Sequence, residues 1–298
     1  MKLNKVNLEK TYNFFIKDPK RNSVIIKWGL LVIFTFGIII ISYFGIFLPF
    51  IFLGEDGSEG VAFLFMCLFC IGYLVFLLSI YGSWFYAKGA GINNYKFMRQ
   101  KNNENIMLSD IKKRSFIVNI IEGLKMALVS FVYLLPYIFI VILWIVFISV
   151  VSFSMESGGF EAEEPEAAFI LIYFISMFLL VGIQFIYLFF YSCVLKPIIF
   201  ETIYSKGYLA AFNIFYTLKE FIRSPKQYLY NSFIILVPYA VWMAVYMLSA
   251  ILMYLCIGIF VIPFVYGLYY IIKIYIEPHI IFLATRDKNS SENTVILT

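Results

Sequence analysis

The sequence predicts an all-α, polytopic membrane protein: six transmembrane helices arranged as three hairpins, with interfacial helices on the cytoplasmic side. Three observations carry that reading. Apolar residues make up 62% of the 298 and charged residues 14%, a composition outside the range of soluble domains. The charges are confined to short blocks between long uncharged runs, so lipid is the solvent for most of the chain. All 23 Lys and Arg residues fall in polar stretches that can share one side of a membrane, while two well-separated loops that fall to the other side hold only acids.

Four runs stand apart: Val24 to Leu53, broken only by the charge of Lys27; Val61 to Ala87; Met126 to Met155; and Ala167 to Leu195. Each exceeds the ~20 residues that cross a ~30 Å hydrocarbon layer. A fifth run, Gln227 to Ile272, has 46 uncharged residues, about twice what one crossing needs. It reads as two helices joined by a tight outer turn near Ala250 to Cys256. The expectation is a single membrane domain, residues 1–298, with spans at about 24–53, 61–87, 126–155, 167–195, 228–250 and 254–275.

The segments outside these runs carry seven Lys and Arg in residues 1–27, eight in 88–125, five in 196–226 and three in 273–298. Loops 54–60 and 156–166 carry none and together hold eight acids. Lys and Arg favour the cytoplasmic side, which places the protein in the cytoplasmic membrane with both termini inside and the acidic loops outside. The net charge of +5 is then a compromise between a basic inner face and an acidic outer one. It argues for anionic lipid as a contact and against nucleic acid. The first apolar run is 30 residues long and lacks a small-residue cleavage site, so it is expected to stay as the first span.

Short motifs recur. Phe15-Ile16-Lys17-Asp18-Pro19-Lys20 is echoed by Phe221-Ile222-Arg223-Ser224-Pro225-Lys226, each just ahead of a long apolar run. Lys196-Pro197-Ile198-Ile199-Phe200 is echoed by Glu277-Pro278-His279-Ile280-Ile281-Phe282, each at the inner exit of a span. Pro49, Pro136, Pro238 and Pro263 lie inside apolar runs, where a proline removes a backbone bond and bends the helix. Three lead-in helices are expected, over 3–17, 109–125 and 208–223, with Ser109 as the N-cap of the second. In the third, Leu209, Phe212, Phe215, Leu218 and Ile222 repeat at helical spacing beside Lys219 and Arg223, the pattern of a helix lying in the headgroup plane. The plainer use of such helices is to cover the inner face of the bundle.

Chemistry-bearing residues are sparse. The span cores hold no ionisable group, which weighs against proton-coupled transport and intramembrane proteolysis. His279 is the one histidine; with Glu277 it could reach a headgroup, although a helix-exit turn at Pro278 is the plainer role. Gln184 lies near the centre of the fourth span, where its amide needs a partner on a neighbouring helix. Ser79 and Ser83 have the spacing of a close helix approach. Cys67 and Cys70 have redox spacing but no accompanying His, so packing is the expected role. No P-loop, Gly-rich nucleotide fingerprint, nucleophile elbow or paired-Cys metal signature occurs. No catalytic residue, cofactor or metal is expected.

The opening Phe15-Ile16-Lys17-Asp18-Pro19, a following Gly29-Leu30-Leu31, and Tyr204-Ser205-Lys206-Gly207-Tyr208-Leu209-Ala210-Ala211-Phe212 before Ser224-Pro225-Lys226-Gln227-Tyr228 together resemble an uncharacterised prokaryotic membrane family, domain of unknown function 4013. The resemblance covers nearly the whole chain and extends more distantly to the membrane domain of some bacterial glycerophosphodiester phosphodiesterases. The family's Leu-Pro-acidic element has its nearest match at Met107-Leu108-Ser109-Asp110, without the proline. The resemblance implies six helices and a cytoplasmic amphipathic element, and no established activity.

The functional expectation is a non-catalytic integral membrane protein acting through membrane lipids, or through another membrane protein, on a basic face built from 88–125 and 196–226. Lys112, Lys113, Arg114, Lys219, Arg223 and Lys226 are its candidate contacts. The alternatives are a passive or partner-energised transporter of an amphipathic peptide or lipid, lined by Gln184, and a self-immunity protein against an antimicrobial peptide.

Overall fold

A computed structural model describes residues 6, 8–52, 59–103, 106–111, 114–156, 165–253 and 258–285, and every regular element among them is helical. The helices are α1 (Leu8–Ile16), α2 (Arg21–Phe52), α3 (Glu59–Lys101), α4 (Phe116–Glu156), α5 (Pro165–Phe189), α6 (Lys196–Lys206), α7 (Tyr208–Ala211), α8 (Ile214–Arg223), α9 (Pro225–Met253), α10 (Gly258–Ile271) and α11 (Glu277–Thr285). A 3-10 turn spans Leu108–Asp110, and π-helical turns at Phe190–Leu195 and Ile272–Ile276 join α5 to α6 and α10 to α11.

Four helical stretches among the described residues are long and apolar enough to cross a membrane: Phe116–Ser154, Ile170–Lys206, Pro225–Ser249 and Pro263–Thr285. The most apolar window of the first two holds no buried residue, so its outward side chains need a hydrocarbon solvent. The first two expected crossings coincide with α2 and α3, whose apolar middles lie mostly outside the residues with described side chains. Most of the two acidic loops also lies outside the described residues.

The chain forms two compact units, Met1–Ala127 with Tyr230–Thr298, and Leu128–Leu229. In the first, α2 packs on α10 and α3, and α3 packs on α11 and the second π turn. Two crossings are backbone-to-backbone. A Cβ on Gly89 of α3 would overlap the Asn119 carbonyl, and one on Gly123 of α4 would overlap the Phe85 carbonyl. Only hydrogen at both positions lets the helices approach that closely. Gly267 of α10 meets Gly29 of α2 in the same manner, with a Cβ there 3.2 Å from the Gly29 nitrogen.

Both Ile-Ile-Phe echoes, at Pro197 and at Pro278, follow a π turn, and at the second the physical cause is visible. Pro278 has no N–H to offer the Ile274 carbonyl four residues earlier, and the Asn94 side chain donates to that oxygen instead at 2.8 Å. The bond ties α3 to the turn. Glu277 and His279 lie in the core rather than at a headgroup. They are 1% and 0% exposed; Tyr239 donates to Glu277 Oε2 at 2.7 Å, and the imidazole stacks on Phe14 with ring centres 4.0 Å apart. The headgroup contact, the less plain of the two sequence readings, is excluded: α11 is covered by α3 and the lead-in helix, so neither side chain reaches the surface.

The first motif works as a clamp. Asp18 is 3% exposed and accepts from the backbone N–H of Lys20 at 2.7 Å and of Ser109 at 2.9 Å. It thus fastens the start of α2 to the 3-10 turn 91 residues away. Asp18→Ala strips both donors of this acceptor, at about 1–3 kcal/mol for each N–H that stays buried. Thermal unfolding of the detergent-solubilised protein should shift several degrees lower, with Asp18→Asn intermediate; an unchanged unfolding temperature would refute the clamp.

Two lead-in expectations need correction. Residues 109–125 do not form one helix: Asp110 Oδ2 accepts from the Met107 N–H at 2.8 Å, closing a turn that uses Ser109 as a turn residue. The cap of α4 is Ser115, whose Oγ accepts from Val118 N at 3.3 Å. Residues 208–223 form two helices, because Asn213 Oδ1 accepts from Tyr216 N at 2.9 Å and restarts the chain as α8. Gly207, at φ +85°, turns the chain out of α6 in a region that disfavours side chains.

Candidate functional site

In the second unit, α8 docks with the face opposite to the one amphipathicity suggests for a soluble protein. Thr217 and Glu220 are buried, and Tyr133 Oη shares a 2.6 Å hydrogen bond with the Thr217 hydroxyl while donating to the Ala211 carbonyl at 2.9 Å. Glu220 pairs with Arg223 one turn on. Phe221 is held between Phe190 and Tyr228, with ring centres 5.3 and 6.2 Å away. With polar groups spent inward, the apolar side chains point out: Leu209 is 88% exposed, Phe215 85% and Ile222 71%.

The helical wheel sets Leu218, Ile222 and Phe215 on one arc, with Lys219 and Arg223 on the adjoining one. Lys219, Arg223 and Lys226 are all exposed. Lys206 Nζ donates to Tyr216 Oη at 3.1 Å and lies 4.1 Å from its ring centre. This strip has an apolar edge and a cationic edge. It matches the anatomy of a helix seated at a lipid headgroup boundary.

The first unit carries a cleft of about 180 Å³ lined by Lys20 and Val24 of the α2 start, Tyr86, Ala90 and Asn94 of α3, Leu108, Ser109 and Ile111 of the turn, Arg114 and Asn119 at the start of α4, and Ile274 and Tyr275 of the π turn. Tyr86, Ala90 and Asn94 recur every four residues and form one stripe of α3. Lys20 Nζ donates to the Ser109 carbonyl at 3.3 Å. Asn119 is 4% exposed; its Oδ1 accepts from Asn93 Nδ2 at 2.8 Å, and among the described residues its own Nδ2 has no acceptor. No carboxylate is among the lining residues. Three nearby acids are engaged elsewhere: Asp18 with backbone N–H groups, Asp110 with the Met107 N–H, and Glu122 with Lys96 and Lys125 at 2.7 and 3.1 Å.

The residues expected from sequence fall as follows. Arg114 is exposed and lines the cleft, while Lys112 and Lys113 lie outside the described residues. Lys219 and Arg223 belong to the α8 strip, and Lys226 follows at the start of α9. Gln184 is half-buried on α5 and makes no hydrogen bond among the described residues, so the expected interhelical partner is not found within them. Ser83 does bind across, its Oγ 2.9 Å from Tyr270 Oη. Cys67 and Cys70 are exposed on α3 rather than packed in the core. Sequence reasoning missed Lys20, Asn94, Asn119 and Tyr275 as cleft residues; the Asp18-Pro19 motif beside Lys20 was their one visible signal.

The fold and these two features define an all-helical membrane protein with several membrane-length helices and basic polar ends. No family model, curated protein or solved structure matches the chain.

Proposed function

We propose that this chain is a six-span, non-catalytic protein of the cytoplasmic membrane, with three helical hairpins and both termini inside, acting through contact with anionic lipid on its basic inner face. The observation that carries the reading is the outward apolar edge of α8, beside Lys219, Arg223 and Lys226. Phe215 and Ile222 are shed by the protein to which their own helix docks, and lipid is the environment that removes them from water. Each cation near an anionic surface contributes about 1 kcal/mol, which makes the contact selective for charged headgroups. The resemblance to the uncharacterised membrane family belongs to the same proposal and rests on the motifs that carry it.

The test uses the protein reconstituted into mixed bilayers, with spin-labelled phosphatidylglycerol or phosphatidylcholine as the reporter. The motionally restricted fraction should be larger for phosphatidylglycerol. Replacing Lys219, Arg223 and Lys226 by Gln should erase at least half of that preference, and raising salt should weaken it. Equal restriction of both lipids by the natural chain would sink the reading.

A further inference from the structure

The geometry points to the cleft of the first unit as a binding site for a phosphomonoester, the dianionic head of a lipid or a soluble phosphate compound. Two cations, Lys20 and Arg114, line a pocket to which no acid among the described residues contributes. Arg114 has no ion-pair partner among the described residues, and its planar fork suits two oxygens of one phosphate. Asn119 supplies the second, independent observation. Asn119 is 4% exposed and lines the cleft, its oxygen is held by Asn93, and its Nδ2 has no acceptor among the described residues. An anionic oxygen in the cleft would give that donor a charge-assisted hydrogen bond.

Charge and size select the ligand. A monoester dianion balances one lysine and one arginine, whereas a diester or carboxylate brings a single charge. The volume of about 180 Å³ admits a tetrahedral head but not a lipid's acyl chains, which must leave through the mouth. The Asn94 side chain cannot serve as a donor at the same time, since it is committed to the Ile274 carbonyl at 2.8 Å; the Tyr86 and Tyr275 side chains shape the wall. The reading adds a specific headgroup to the lipid contact proposed above, yet it uses none of the α8 residues.

The experiment is calorimetric titration of the full chain in neutral detergent with short-chain phosphatidic acid, short-chain phosphatidylglycerol and inorganic phosphate. Phosphatidic acid or inorganic phosphate should bind saturably, and phosphatidic acid at least tenfold more tightly than phosphatidylglycerol. Arg114→Gln and Lys20→Gln should each weaken binding several-fold and the double variant abolish it, while Arg114→Lys retains part. Both side chains are exposed, so these variants should unfold at the natural temperature, which is checked alongside. Tight phosphatidic acid that inorganic phosphate fails to displace assigns the site to a lipid head; inorganic phosphate bound alone assigns it to a soluble phosphate. Absence of binding by either, equal affinity for phosphatidylglycerol, or binding untouched by the double variant overturns the proposal. Phe215→Asp with Ile222→Asp should leave this titration unchanged, which separates its failure from failure of the α8 contact.

Discussion

Gly89→Val and Gly123→Val should each abolish recovery of the folded, monodisperse protein, and Gly89→Ala should already lower its unfolding temperature sharply. At both positions the added carbon meets a main-chain carbonyl of the facing helix, Asn119 or Phe85, and a main chain cannot rotate aside as a side chain can. Overpacking in cores commonly costs about 1–3 kcal/mol, and an obstruction by backbone on both sides of one crossing belongs at or above the top of that range. The crossing also positions Asn119 against Asn93 and Glu122 against Lys96, so separating the helices breaks those bonds too. Gly82→Ala, where a Cβ meets nothing within 4 Å, is the control and should be neutral or slightly stabilising. Size-exclusion profiles and thermal unfolding of the four variants decide the matter: a well-behaved Gly123→Val protein would show that the two helices do not touch there.

Phe215→Asp combined with Ile222→Asp should release the outer edge of α8 from the bilayer while leaving its docking face intact. Full transfer of a large apolar side chain out of water contributes about 1.5–3 kcal/mol, and both of these side chains are largely uncovered by the protein, Phe215 at 85% and Ile222 at 71%. Hydrogen exchange of amides 214–223 in lipid nanodiscs should accelerate at least tenfold in the double variant. Thr217 and Glu220 face the protein, so substituting Lys219 by Ala should alter exchange much less. Identical exchange in the natural and doubly substituted chains would mean that the apolar edge is not seated in lipid.

Much of the architecture was legible in the residues. The break at Ser224-Pro225 between α8 and α9, and the parallel one at Asp18-Pro19 between α1 and α2, follow from proline excluding helix at the residue before it. The repeated Lys-Pro and Glu-Pro steps mark the two π turns. Other features were hidden. Asn213 reads as one polar residue in an amphipathic stretch, and its restart of the helix depends on a single side-chain bond. The cleft draws on α2, α3, the 3-10 turn, α4 and the second π turn, and no local pattern announces that residues so far apart share a wall. Glu277 and His279 look like surface residues at a helix exit, yet α11 is wholly buried.

The sequence by itself determined that the chain is helical and that much of it is solvated by hydrocarbon, because both depend on composition and period, which are properties of the residues in order. Tertiary structure alone decided where each polar group finds its partner and which side of α8 faces outward. A helical wheel divides apolar from polar but is silent on which half meets the protein; that choice was made by Tyr133, whose hydroxyl captures Thr217 and draws the polar face inward.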